Sequence, residues 1–153
     1  PNFSGEPVLV LNGDTLVDLD LDALCAFHRQ RNAVATLVLR NDPDAARWGL
    51  VEMDSDNRIV RITGRGNPAP GSVHPRMFAG IHILHPRLLR DIPKGTESSI
   101  IDAYVAAIQR DEAVLGYDYQ GYWSDVGTPE RYAQAEHDAE AGLISLATRQ
   151  LTV

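Results

Sequence analysis

The stretch Val8-Leu-Val-Leu11, followed at once by Asn12-Gly-Asp14, constrains this chain more than any other. An unbroken apolar run of this kind reads as a strand buried on both faces. The turn after it leaves a carboxylate beyond the strand's carboxyl end, where open α/β sheets bind their ligands. Asp14 to Asp20 reads as a loop. Asp20 or Asp22 can then cap a helix continuing to about Asn32, with Leu21, Leu24, Cys25 and His28 at the spacing of one helical face. Ala33 to Leu39 returns as a strand rich in Val, Thr and Leu. This strand–helix–strand order predicts a right-handed crossover in a parallel sheet.

Asn41-Asp-Pro43 breaks the pattern. Trp48 to Met53 and Arg58 to Ile62 predict two strands joined across Asp54-Ser-Asp-Asn57, whose residues bond their own backbone, so a small antiparallel hairpin is expected. Gly64 to Pro75, with Pro68 and Pro70 among its glycines, predicts a loop, and Met77 to Leu84 another buried strand. Pro86 to Asp91 is expected as a short helix opening on proline. Ser98 to Arg110 predicts a longer helix with Ile101, Tyr104, Val105 and Ile108 on one face. A strand from Val114 to Tyr119 and an amphipathic helix from Pro129 to Ala141, with Tyr132, Ala135 and Ala139 inward, complete the pattern. The fold class expected is α/β: a Rossmann-like, mostly parallel sheet with flanking helices and a small antiparallel hairpin. A length of 153 residues suits one domain with a real core.

A second aspartate stands in a comparable setting in Gly121-Tyr-Trp-Ser-Asp-Val-Gly-Thr-Pro-Glu-Arg131. Thr128 can cap a helix whose first residue is Pro129, a position that needs no N–H. Two carboxylates delivered beyond strand ends could hold a hard cation, and Mg²⁺ usually takes one or two carboxylates plus phosphate oxygens. Composition narrows the partners. A balance of 14 basic against 21 acidic residues argues against a general nucleic-acid surface. No apolar run approaches the ~20 residues that span a bilayer, and the opening residues lack a signal peptide's basic and apolar regions. A single cysteine excludes an internal disulfide and fits a reducing, cytoplasmic setting. Cys25 itself reads as a small buried hydrophobe.

Leu11-Asn-Gly-Asp-Thr-Leu16 followed by Trp123-Ser-Asp-Val-Gly-Thr-Pro129, with Phe78-Ala-Gly-Ile81 between them, resembles the sugar-phosphate nucleotidyltransferases, or nucleoside-diphosphate-sugar pyrophosphorylases. The similarity is closest to the mannose-1-phosphate guanylyltransferase-like and N-acetylmuramate-1-phosphate uridylyltransferase-like branches, and runs from about Pro7 to Ala141. It implies transfer of a nucleotidyl group from a nucleoside triphosphate to a sugar 1-phosphate, giving a nucleotide sugar and pyrophosphate. By that resemblance Asp14 and Asp125 bind Mg²⁺ in the catalytic centre, flanked by Asn12, Gly13 and Trp123. Gly49, in Trp48-Gly-Leu-Val51, and Gly80 would let substrate lie close to backbone.

Two departures from the family pattern shape the expectation. Where the family shows Glu-Lys-Pro, this chain has Thr63-Gly-Arg-Gly66, so Arg65 would take the lysine's phosphate, although the two cations are not equivalent. No Gly-x-Gly-x-Arg triphosphate loop precedes Val8. The chain therefore resembles the later, sugar- and metal-binding portion of a catalytic domain, N-terminally incomplete. Without a first strand it would also present a sheet edge on which a second copy could pair. Two rival readings stand beside this one. A non-catalytic module would sense sugar nucleotides or pair with another subunit. A glycosyltransferase would bind metal through the Asp-x-Asp spacings of Asp18, Asp20 and Asp22, which the start of a helix explains more simply.

Overall fold

The computed structural model describes residues 5–69, 71–93, 95 and 97–144; the opening residues 1–4 and Pro70 lie outside that set. The centre of the molecule is a long strand, β7 (His74–Leu84). On one side its second half pairs antiparallel with β1 (Val8–Leu11) and its first half with β4 (Leu50–Met53). On the other side runs β3 (Ala35–Arg40), antiparallel to β7, with β8 (Val114–Asp118) parallel to β3. The hairpin predicted from the Asp54–Asn57 turn is present: β4 pairs with β5 (Ile59–Ile62), and β5 with β6 (Arg65–Gly66). The sheet is mixed. β1, β3, β4 and β8 share one direction and β7 runs against them from the middle, so β3 and β8 are the parallel neighbours. The strand–helix–strand unit therefore joins two strands of one direction that lie on opposite sides of β7.

The longer helices form where the sequence placed them. In α1 (Leu21–Gln30), Asp20 Oδ1 accepts the N–H groups of Asp22 at 2.9 Å and Ala23 at 3.1 Å, satisfying donors that a helix start leaves unpaired. In α3 (Ile100–Gln109), Ser99 caps and Ala103, Tyr104, Val105, Ala107 and Ile108 are buried. This face packs on one side of the sheet with Leu37, Leu39, Val51 and Ile62, whereas Leu24 of α1 packs on the other with Val38, Ala79, Ile81 and Tyr119. A 3₁₀ helix occupies Pro86–Asp91, and α4 (Pro129–Glu140) ends the described fold. The hairpin curls so that Asn57 O accepts from Gly116 N at 2.8 Å, bringing the start of β5 against β8.

Five expectations need correction. β1 is not buried on both faces: among the described residues β7 alone pairs with it, and Val10 and Leu11 are 36% and 47% exposed at the sheet edge. The stretch after Asp14 is not all loop, since β2 (Thr15–Val17) pairs with β9 (Trp123–Asp125) in a separate two-stranded sheet. Trp48 does not begin a strand but ends a one-turn helix, α2 (Ala45–Trp48), and the predicted loop after Gly64 contains β6. Tyr132 of α4 is 56% exposed, and of that helix's residues Ala135 is the one buried.

Candidate functional site

The two-stranded sheet brings the two sequence motifs together. Thr15 stands opposite Asp125, Leu16 opposite Ser124 and Val17 opposite Trp123, while Val126 N donates to Asp14 O at 2.8 Å. Asp125 is closely held: Oδ1 accepts from Gly127 N at 2.8 Å, and Oδ2 lies 3.0 Å from Arg131 Nη1. Asp14 is exposed, and its carboxylate has no protein partner among the described residues. The two side chains border one point. A methyl group added at Gly127 would lie 3.0 Å from Asp125 Oδ1 and 3.2 Å from Asp14 Oδ2. That crowding leaves little room for a side chain at position 127, which both carboxylates border.

These aspartates open into a cleft of about 300 Å³. Asn12, Thr15 and Gly80 line it with them, and Trp48, Phe78 and Trp123 supply aromatic walls over Met77 and Ala79. Trp123 is fixed by its Nε1, which donates to Ala79 O at 2.9 Å. Asn12 is fixed by its backbone, whose N donates to Gly80 O at 3.0 Å. Gly80 has φ +77° in the middle of β7, and a Cβ there would sit 2.6 Å from Asn12 Nδ2. Any other residue would combine left-handed strain with a clash against the Asn12 amide. Of the residues singled out from sequence, Asn12, Asp14, Gly80, Trp123 and Asp125 thus converge on one cleft.

The others fall around it. Gly13 forms the open turn between Asn12 and Asp14, with nothing within 4 Å of where a Cβ would stand. Gly49 ends α2 at φ +99°, the conformation that delivers Trp48 into the cleft wall. Arg65 pairs with Asp102 of α3 at 2.8 Å, both side chains more than half exposed, and it does not line the cleft. Thr15, Trp48 and Arg131 were not assigned roles from sequence. Trp48 carried a signal: an aromatic side chain beside a glycine, 40% exposed in the fold.

The loop before β9 is held by polar ties. The Tyr119 hydroxyl donates to Asp18, with Tyr122 O 2.8 Å away, and Arg40 Nη1 donates to Gly121 O at 2.6 Å. Burial first, then the Asp18 hydrogen bond, push Tyr119 ionisation upward. Asp18 and Asp20 of the Asp-x-Asp run are therefore engaged structurally, one by Tyr119 and the other as the α1 cap. Behind the cleft wall, His82 stacks on Phe78 with ring centroids 5.4 Å apart, and its Nδ1 is 2.9 Å from Tyr104 Oη. Burial lowers the His82 pKa to about 4, so the ring is neutral near pH 7. His85 instead accepts from Arg87 N at 3.1 Å, so the two histidines do not form a pair.

The nucleotidyl transferase family model matches residues 2–142. The chain belongs to this family. It is 30% identical over 140 residues to the mannose-1-phosphate guanylyltransferase of Mycobacterium tuberculosis, a match that covers 90% of this chain and 38% of that protein. The fold superposes on a Bacillus anthracis protein assigned as a glucose-1-phosphate thymidylyltransferase, solved in complex with a sucrose, with a TM-score of 0.69 at 18% identity. That superposition covers 93% of this chain and 57% of the other. HddC from Yersinia pseudotuberculosis gives 0.63 at 19% identity, over 89% and 56% of the two chains. The chain thus spans well under two thirds of these relatives. Its α/β fold is shared with these solved structures. No helix among the described residues is long and apolar enough to cross a membrane.

Proposed function

We propose that this chain is the sugar- and metal-binding portion of an enzyme that transfers a nucleotidyl group from a nucleoside triphosphate to a sugar 1-phosphate. The products would be a nucleoside-diphosphate sugar and pyrophosphate. The observation that carries this reading is the meeting of Asp14 and Asp125 around one point in an aromatic-walled cleft. The residues present fit Mg²⁺. That ion needs one or two protein carboxylates and completes its shell with water and phosphate oxygens. Mg²⁺ held by Asp14 and Asp125 would supply charge screening between two approaching polyanions.

The protein's own groups would orient the rest of the substrate. Trp48, Phe78 and Trp123 offer apolar faces to a sugar ring, and Asn12 and Thr15 offer polar groups to its hydroxyls. Gly80 brings backbone close to the cleft, and Gly13 and Gly49 shape the two turns beside it. The attacking phosphate is already ionised near pH 7, so no side chain is required as a base. Arg65 would reach a phosphate only by exchanging Asp102 for it. The lone Cys25 fits a cytoplasmic setting, and the open edge of β1 would accept a strand from a second copy.

Calorimetric titration of a panel of nucleoside-diphosphate sugars, with and without Mg²⁺, tests this directly. Binding should depend on Mg²⁺ and weaken by about tenfold or more in both Asp14→Asn and Asp125→Asn. Binding that ignores Mg²⁺ and both substitutions would refute the assignment.

A further inference from the structure

We propose that Arg131 is an internal cation that caps Asp125 and competes with a divalent metal for it. The inference rests on the reading of Asp14 and Asp125 as the metal-binding pair. Arg131 is the third residue of α4, after Thr128 as cap and Pro129 as opener. A helix start carries partial positive charge, and the third position after a Thr cap favours Glu or Gln, whose side chain reaches back to the cap. A guanidinium at this place runs against both preferences. Its partners lie outside the helix: Asp125 Oδ2 at 3.0 Å and the Trp48 ring, whose centre is 5.2 Å from Cζ.

The consequence is an asymmetry between the two carboxylates. Both oxygens of Asp125 are engaged, by Gly127 N and by Arg131, whereas Asp14 has no protein partner among the described residues. The guanidinium already draws on the Coulomb attraction that Asp125 would offer a cation, so a metal gains only the excess over that pair. Arg131 can leave without unpacking the core. Its side chain is 39% exposed and borders a shallow groove of about 200 Å³ shared with Trp48, Trp123, Ser124 and Gln134. Arg131 thus offsets the charge of Asp125 when no metal is present, leaves that of Asp14 unpaired, and sets a threshold for metal entry.

The experiment is a titration of Mn²⁺ alone into the chain, with free ion followed by electron paramagnetic resonance. Wild type would be compared with Arg131→Gln, Arg131→Lys, Asp14→Asn and Asp125→Asn, each checked for folding by far-ultraviolet circular dichroism. Arg131→Gln should bind Mn²⁺ about two- to fivefold more tightly, the scale of a partly exposed ion pair. Arg131→Lys, which keeps the charge but not the planar fork, should fall between the two and serves if the Gln variant melts. Equal or weaker Mn²⁺ binding by a folded Arg131→Gln or Arg131→Lys would overturn the proposal, because Arg131 would then orient Asp125 for the metal or be a bystander. Wild-type affinity in both Asp variants would remove the metal reading itself, a separate failure.

Discussion

Two regions of this molecule are built on opposite principles. The core between the sheet and α3 is apolar and closed: Leu37, Leu39, Val51, Tyr104 and Ala107 are all fully buried. The cleft end is held by single polar ties, among them Trp123 to Ala79, Asn12 to Gly80, Arg40 to Gly121 and Tyr119 to Asp18. The first kind of region is stabilised by area removed from water and resists change anywhere along it. The second leaves the carboxylates of Asp14 and Asp125 exposed or partly exposed and depends on a few directional bonds to aim them. Stability and function are therefore separable here, and substitutions can be chosen to act on one without the other.

The largest effect is expected in the core. Leu37→Ala should cost about 4 kcal/mol in denaturant unfolding, through lost burial and a residual cavity. Below its unfolding transition it should still bind Mn²⁺ as wild type does. A parallel loss of metal affinity would break the separation between the two regions.

The next effect lies at their boundary. His82 has its folded pKa lowered to about 4 by burial, against an ordinary 6.5. Above 6.5 the ring is neutral in both states and the protein has its full stability. As pH falls below 6.5 the unfolded chain takes a proton that the folded one refuses, and stability declines until about pH 4. The loss amounts to about 3 kcal/mol over that window. His28, lowered by its own burial and by His85 and Arg29, pulls in the same direction. Urea melts between pH 7 and 4 should show a shallower decline in His82→Gln than in wild type, and equal declines would contradict the burial argument.

The smallest of the three sharpens the comparison from the cleft side. Gly80→Ala should cost about 2 kcal/mol, because it imposes positive φ on a residue with a Cβ. It should also push the Asn12 amide out of the cleft wall. A crystal structure of the variant with Asn12 unmoved would show that the close approach of Gly80 is not what seats it.

The contrast also explains what could be read from sequence. Helices were legible from their ends: Asp20 and Thr128 cap where expected, because a cap is a local hydrogen bond set by nearby residues. The hairpin at Asp54–Asn57 was legible for the same reason. The face of β1 was not, since an apolar run says nothing about how many neighbours its strand acquires, and among the described residues β1 has one. Nor was β2–β9, because three-residue strands carry almost no period and their pairing joins residues more than a hundred positions apart. At the candidate site, Asp14 and Asp125 were singled out through the motifs that contain them, and the fold brings them together. Trp48 and Arg131 were not, because their place depends on tertiary packing around α2 and α4. Arg131 did leave a trace, as a cation in a helix's first turn.

The most direct test of the central claim is anomalous scattering from crystals of the chain soaked in Mn²⁺. A peak coordinated by carboxylate oxygens of both Asp14 and Asp125, beside Gly127, is expected. A peak elsewhere, for example in the acidic groove around Asp54 and Asp56, or no peak at concentrations that saturate binding in solution, would contradict it.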